Sequence, residues 1–149
     1  MKLNVCALKT VTMMSNMKVG ITGTRMGMNE HQFAGVQELL TKLYEAGAEF
    51  HHGDCVGVDA EAAVLAKELG YKIIGHPGPG EDGLRAFVEC DESKEPASHF
   101  KRNRTIVDEC DVLIVVPLQN EHQSRGGTWY THDYAVKTEK QFTVFYPGE

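Results

Sequence analysis

No stretch of this chain approaches the roughly 18 consecutive apolar residues of a membrane-spanning helix, and the opening MKLNVCALKTVTMMSNM has too short an apolar run for a secretory signal. A protein without a membrane span in a cytoplasmic setting is therefore expected. Cysteine is sparse: Cys6, Cys55, Cys90 and Cys110 are scattered with no C-x-x-C pair, which argues against a zinc ribbon and against a disulfide framework. Positive charge is not in excess either. Lys and Arg number 15 against 21 Asp and Glu, a net charge of -6, so the surface does not advertise a polyanion partner; DNA is an unexpected partner and any anion site must be local. There is no internal repeat and no G-x-G-x-x-G, so the standard dinucleotide fingerprint is missing.

What is present is ordinary globular material, 42% hydrophobic and 24% charged over 149 residues, enough for one domain with its own core. Met13, Met14 and Met17 precede the first strong strand signal. Residues 1 to 16 are accordingly expected to be a tail, and 17 to 149 a single domain.

Five apolar runs read as strands: MKVGIT (17 to 22), AEFHH (48 to 52), YKIIGH (71 to 76), DVLIVVP (111 to 117) and QFTVFYP (141 to 147). Their apolarity is continuous, the pattern of strands covered on both faces. Helical spacing fills the intervals. Phe33, Val36, Leu40 and Leu43 form a stripe behind an Asn29/Gln32 capping box, and Val58, Ala62, Leu65, Ala66 and Leu69 form another that Gly70 ends. Phe100, Asn103, Val107 and Cys110 define a third face. Alternating strands and helices imply β-α-β units and a three-layer, Rossmann-like α/β domain with a five-stranded, mainly parallel sheet of order 3-2-1-4-5. Residues 77 to 97, rich in proline, glycine and acid, interrupt the pattern and are expected to form a lid, a binding loop or a mobile segment.

In such sheets ligands bind beyond the carboxyl ends of the strands, and the informative residues do follow strands. Gly23, Thr24 and Arg25 offer close backbone approach, a hydroxyl and a phosphate-matching fork, or an ordinary turn with a solvated arginine. Gly53 and Gly57 frame the entry to a small-residue helix whose N-terminus is an anion site in its own right, and Asp59 suits a ribose or the helix dipole equally. Asn103 places an amide in an apolar stripe and needs a definite partner. Arg102 flanks it, solvated or on a ligand; Arg104 is within reach of Asp108 at i, i+4. Gly126, Gly127 and Thr128 open a helix after the fourth strand as a phosphate cradle, followed by Trp129 and Tyr130, which suit either base stacking or core packing. His51 and His52, adjacent on a strand, point to opposite faces, so they are not expected to share a metal.

Together, GTR after the first strand, G-x-x-x-G-V-D-A into the second helix, FKRNRTI before the fourth strand and G-G-T opening the last helix resemble the SLOG superfamily. This is the Rossmann-like group of the DprA/Smf DNA-processing domain and the LOG phosphoribohydrolases. The match runs from about 17 to 147, and FKRNRTIVDECDVLIVV is similar to the DprA/Smf pattern. The resemblance implies a nucleotide or nucleotide-derived ligand held by Gly23, Thr24, Arg25, Gly53, Gly57, Asp59, Arg102, Asn103, Gly126, Gly127 and Thr128, with no cofactor and no metal, in a homo-oligomer. Sensing or sequestration is the leading expectation. The alternatives are a nucleoside 5'-monophosphate N-glycosidase with Arg102 orienting phosphate, and single-stranded DNA binding. The hydrolase pattern P-G-G-x-G-T-x-x-E is broken here: Thr131 stands at the glutamate position, and Gln123, Ser124 and Arg125 replace the proline and first glycines. An oxocarbenium-like transition state benefits from a nearby carboxylate. Asp133 is turned roughly 200° away on a helix of 3.6 residues per turn; Glu121 and Glu139 remain as distant candidates.

Overall fold

The computed structural model describes residues 16–80 and 83–148; residues 1–15 of the expected tail, including Cys6, lie outside them. Six parallel strands form one sheet: β1 (Lys18–Gly23), β2 (Glu49–His52), β3 (Lys72–Gly75), β4 (Glu92–Ser93), β5 (Val112–Val116) and β6 (Gln141–Val144), in spatial order β4-β3-β2-β1-β5-β6. Four helices cover it: α1 (Glu30–Leu43), α2 (Val58–Leu69), α3 (His99–Glu109) and α4 (Gly127–Lys137). The five expected strands keep their expected order. The sixth, β4, is new.

β5 explains the layering. All of VLIVV is buried, and alternate residues serve different cores. Val112, Ile114 and Val116 join Val19, Ile21 and Phe50 beneath α1 and α2, whereas Leu113 and Val115 pack with Ile106, Val107 and Ala135 beneath α3 and α4. Among the described residues, no helix is long and apolar enough to cross a membrane.

The capping box at α1 is present: Asn29 accepts from Gln32 N, and the Gln32 side chain accepts from Asn29 N. Its stripe differs from the one expected. Phe33 is 39% exposed, and Gln32 is buried in its stead, with Nε2 donating to Pro117 O (2.8 Å) and Phe145 O (2.9 Å). A glutamine fits inside because both amide protons reach carbonyls at the ends of the sheet.

The segment expected to be a lid or mobile loop is anchored where it is described. Asp54 accepts from Arg85 Nε (2.6 Å) and Val88 N (2.8 Å), while its carbonyl accepts from Ala86 N. Asp91 then accepts from Ile73 N (2.8 Å), and the two-residue β4 pairs with β3. Both residues of this edge strand are exposed, which is why no apolar run announced it.

Candidate functional site

The strand order reverses between β1 and β5, and their carboxyl ends open into a cleft of about 670 Å³. Gly23, Thr24, Arg25, Gly53, Asp59, Arg102, Asn103, Gly126, Gly127 and Thr128 all line it; Gly57 does not. Gly57 lies beneath the loop after β1, with φ +89°, and a Cβ there would sit 2.4 Å from Arg25 O. Its role is to let that loop close over the start of α2, whose first N–H, on Val58, donates to Thr24 O (3.1 Å).

The floor is a buried polar clamp around one residue, Gly53. Gly53 N donates to Asp59 Oδ2 (2.8 Å), and Gly53 O accepts from Arg102 Nη1. Arg102, 4% exposed, also donates from Nη1 to His76 O (3.3 Å), from Nε to Asn103 Oδ1 (2.6 Å) and from Nη2 to His99 Nδ1 (2.8 Å). Neither a solvated arginine nor a free phosphate fork describes it: of the five N–H groups a guanidinium carries, these contacts occupy four. Arg102 is foremost a strut between α3 and the ends of β2 and β3. Arg104 departs from expectation too, donating to Tyr130 OH (2.7 Å) while Asp108 accepts from Tyr134 OH (2.7 Å). Each side chain spans to α4 instead of pairing along α3.

Burial raises the Asp59 carboxyl to about 6, against the opposing pull of Arg102 and the N–H groups of Cys55 and Gly53. Because the folded protein then holds this proton more tightly than the unfolded chain, the Asp59 contribution is largest below about pH 4 and declines as pH rises through about 6. Wild type should lose up to roughly 3 kcal/mol of stability relative to Asp59→Asn between pH 4 and pH 7. Denaturant titrations of both proteins at the two pH values measure this; an advantage of wild type that grows with pH would mean that Arg102, not burial, governs the carboxyl. Cys55, the thiol in the cleft, is pushed up to about 11 by burial and by Asp59, which keeps it protonated and a poor nucleophile.

Donors converge at the opposite wall. α4 starts at Gly126, which supplies no capping side chain, unlike Asn29 and Ser98 at the starts of α1 and α3. Among the described residues, the first-turn N–H groups of Gly127, Thr128 and Trp129 find no backbone acceptor. Asn103 Nδ2, likewise without an acceptor among them, would lie 3.6 Å from a Cβ on Gly127. Its Oδ1 has the partner expected, Arg102, and its NH2 faces the helix start. Arg25 and Arg125 stand exposed at the mouth. Asp59 is the one carboxylate of the lining among the described residues. Thr131 is 1% exposed and donates back to Gly127 O (2.7 Å), and Glu121, Glu139 and Asp133 do not line the cleft.

Sequence reasoning missed the apolar rim. Met26 (78% exposed), Phe100 (55%) and Leu118 (53%) all border the cleft. Phe100, expected in the buried stripe of α3, instead lies against Tyr130 with ring centroids 4.4 Å apart. Trp129 is core, 3% exposed, with its indole N–H on Gln119 Oε1 (2.9 Å). The signal was the α3 pattern itself: Arg102 and Ile106, like Asn103 and Val107, are four apart and buried, which turns Phe100 outward.

No protein-family model matches the chain, and no curated protein matches it. Solved structures do. The chain is similar to a molybdenum cofactor binding protein from Rippkaea orientalis (TM-score 0.68, 20% identity, covering 88% of this chain and 77% of that one). It is also similar to the molybdenum cofactor carrier protein of Chlamydomonas reinhardtii (0.59, 23%, 87% and 76%). A third likeness is to DNA processing protein A of Helicobacter pylori (0.61, 22%, 91% and 67%), which is described by its single-stranded DNA binding mode. These likenesses establish the fold, a three-layer Rossmann-like α/β domain. The expectation that DNA is an improbable partner gains nothing from them, since a structure with this fold is described as binding single-stranded DNA.

Proposed function

We propose that the protein binds a nucleotide or nucleotide-derived ligand in the cleft between the ends of β1 and β5, as a sensor, carrier or sequestering protein. One observation carries this reading: donors without an acceptor among the described residues (the first turn of α4 and the Asn103 amide) and an exposed apolar rim (Met26, Phe100, Leu118) border the same cleft. Donors at an uncapped helix start suit a phosphate, and the rim suits a heterocycle. The ligands named for the cofactor-binding neighbours accord with a small-molecule occupant. Gly23, Thr24, Gly126, Gly127 and Thr128 would approach it through backbone and hydroxyl, with Arg25 and Arg125 closing on the anion.

Calorimetric titration with a panel of nucleoside mono- and diphosphates, beside a mass spectrum of small molecules released on denaturation, tests this. Saturable binding of at least one nucleotide is expected. Arg125→Ala should weaken it by about tenfold, the loss of one charged hydrogen bond, and Phe100→Ala by several-fold, both with unfolding midpoints near wild type. Absence of binding by every member, with no ligand released, sinks the reading. Among the described residues the lining supplies one carboxylate, Asp59, which already accepts from two N–H groups. Base release on chromatography, abolished by Arg125→Ala, would overturn the binder in favour of the hydrolase.

The second reading, single-stranded DNA, is favoured by the Helicobacter likeness and by Lys101, Arg25 and Arg125 exposed at or beside the cleft. Affinity for an oligonucleotide should then fall steeply with salt; none at low salt removes it.

A further inference from the structure

A cluster of metal-ligating side chains lies outside the cleft, on the sheet face beneath α3. His51 and His52 do point to opposite faces. His52 Nδ1 accepts from Asp54 N (2.8 Å), and His52 Nε2 lies 3.5 Å from Cys90 Sγ. His51 meets a different histidine. It pairs in register with Ile74, which puts His76, two residues on, diagonally beside it on the same face. His51 Nδ1 lies 2.8 Å from His76 Nε2, and Glu109 Oε1, at the end of α3, lies 3.9 Å and 4.0 Å from those same two nitrogens.

We propose that His51, His76 and Glu109 bind one divalent transition-metal ion of the zinc class, with Glu49 as the positioning residue behind His51. Two features support the assignment. The ligand atoms all lie within 4.8 Å of one another. Glu49 Oε1 is 2.8 Å from His51 Nε2, so it accepts that proton and leaves the lone pair on Nδ1, facing the site; a carboxylate behind a histidine is the usual orienting partner of a metal ligand.

Without metal, His76 Nε2–H donates to His51 Nδ1. On binding, that proton leaves Nε2 through water and His76 takes the Nδ1–H form, so the ring stays neutral and no net proton is released from the pair. Two nitrogens on one tetrahedral zinc are about 3.3 Å apart, so the rings open by about half an ångström from 2.8 Å, and the Glu109 carboxylate closes from about 4 Å. Glu109 is 40% exposed, which gives it the freedom to move and leaves a fourth position for water. Lys18 and Lys94 oppose a cation electrostatically, and Glu49 and Glu109 offset them.

His122, His132 and Asp133, of which His132 is half-buried, are the competing cluster. Both imidazoles there share one carboxylate oxygen (2.7 and 2.8 Å), and among the described residues no second carboxylate orients either ring.

Cobalt(II) titrated into chelator-treated protein tests the proposal by its visible absorption and by calorimetry. One ion per chain is expected, with the d–d bands of a nitrogen and oxygen site and no thiolate charge transfer. Glu109→Gln, at a partly exposed position that the fold tolerates, should weaken binding at least tenfold. Glu49→Gln should weaken it by about 10- to 100-fold with unchanged apoprotein unfolding. His122→Ala should leave it intact. No saturable cobalt signal, a signal indifferent to Glu109→Gln, loss in His122→Ala, or a thiolate charge-transfer band would each overturn the assignment.

Discussion

Arg102→Ala should lower stability by about 3 to 5 kcal/mol, the usual cost of deleting one member of a buried charged network. At this chain length that is a fall in melting temperature of roughly 6 to 20 °C. The reason is the company Arg102 keeps. Removing it strands the carbonyls of Gly53 and His76 and the Oδ1 of Asn103, and leaves the buried Asp59 carboxylate without its neighbouring cation. Arg102→Lys should recover little, since a point ammonium cannot span carbonyls on two strands and an amide on α3. Differential scanning calorimetry at pH 7 reads the effect directly. A melting temperature within 2 °C of wild type, an allowance of about 1 kcal/mol, would return Arg102 to the role of an idle phosphate ligand. Loss of ligand binding in Arg102→Ala is thus ambiguous, which is why Arg125 and Phe100 are the better probes of the cleft.

Gly57→Ala should be nearly as damaging, by about 2 to 6 kcal/mol. Two penalties add: a φ of +89° with ψ of -128°, a region essentially reserved for glycine, costs about 1 to 3 kcal/mol, and overpacking adds about 1 to 3 kcal/mol. The overpacking is against main chain, since the new Cβ would meet Arg25 O at 2.4 Å and Thr24 O at 2.6 Å. Gly80→Ala, whose Cβ meets nothing within 4 Å, is the matched control and should leave the denaturation midpoint unchanged. Because Thr24 and Arg25 border the cleft, Gly57→Ala should also abolish the nucleotide binding proposed for it, although Gly57 itself lies outside the lining. A variant as stable as wild type would show that the loop after β1 can yield.

Much of the architecture is written in strongly apolar runs. VLIVV announces a strand covered on both faces, and the order of five strands follows from alternation with helices. β4 carries no such mark, because two exposed residues pair there through Asp91 rather than through side-chain burial. Ten of the eleven candidate residues, chosen because they follow strands or interrupt a helical face, border the cleft, and the eleventh, Gly57, lies beneath the loop after β1. Residue type misled at two places. Arginine and glutamine are ordinarily solvated, whereas Arg102 and Gln32 are buried because backbone carbonyls from distant strands satisfy their protons, and those carbonyls are invisible until the chain is folded. Phe100 and Phe33 are exposed as the counterpart of those exchanges. The His51–His76 contact demanded strand order and register together, and adjacency in sequence pointed to His52 instead.

The doubly held backbone of Gly53 has a thermodynamic consequence. With its N–H on Asp59 and its carbonyl on Arg102, the floor of the cleft is ordered before any ligand arrives, so an incoming molecule pays conformational entropy only at the rim, on Arg25, Met26, Leu118 and Arg125. Discrimination between ligands is then a property of four or five exposed side chains over a fixed base. Such a rim can be retailored by substitution without disturbing the layer that keeps the domain folded.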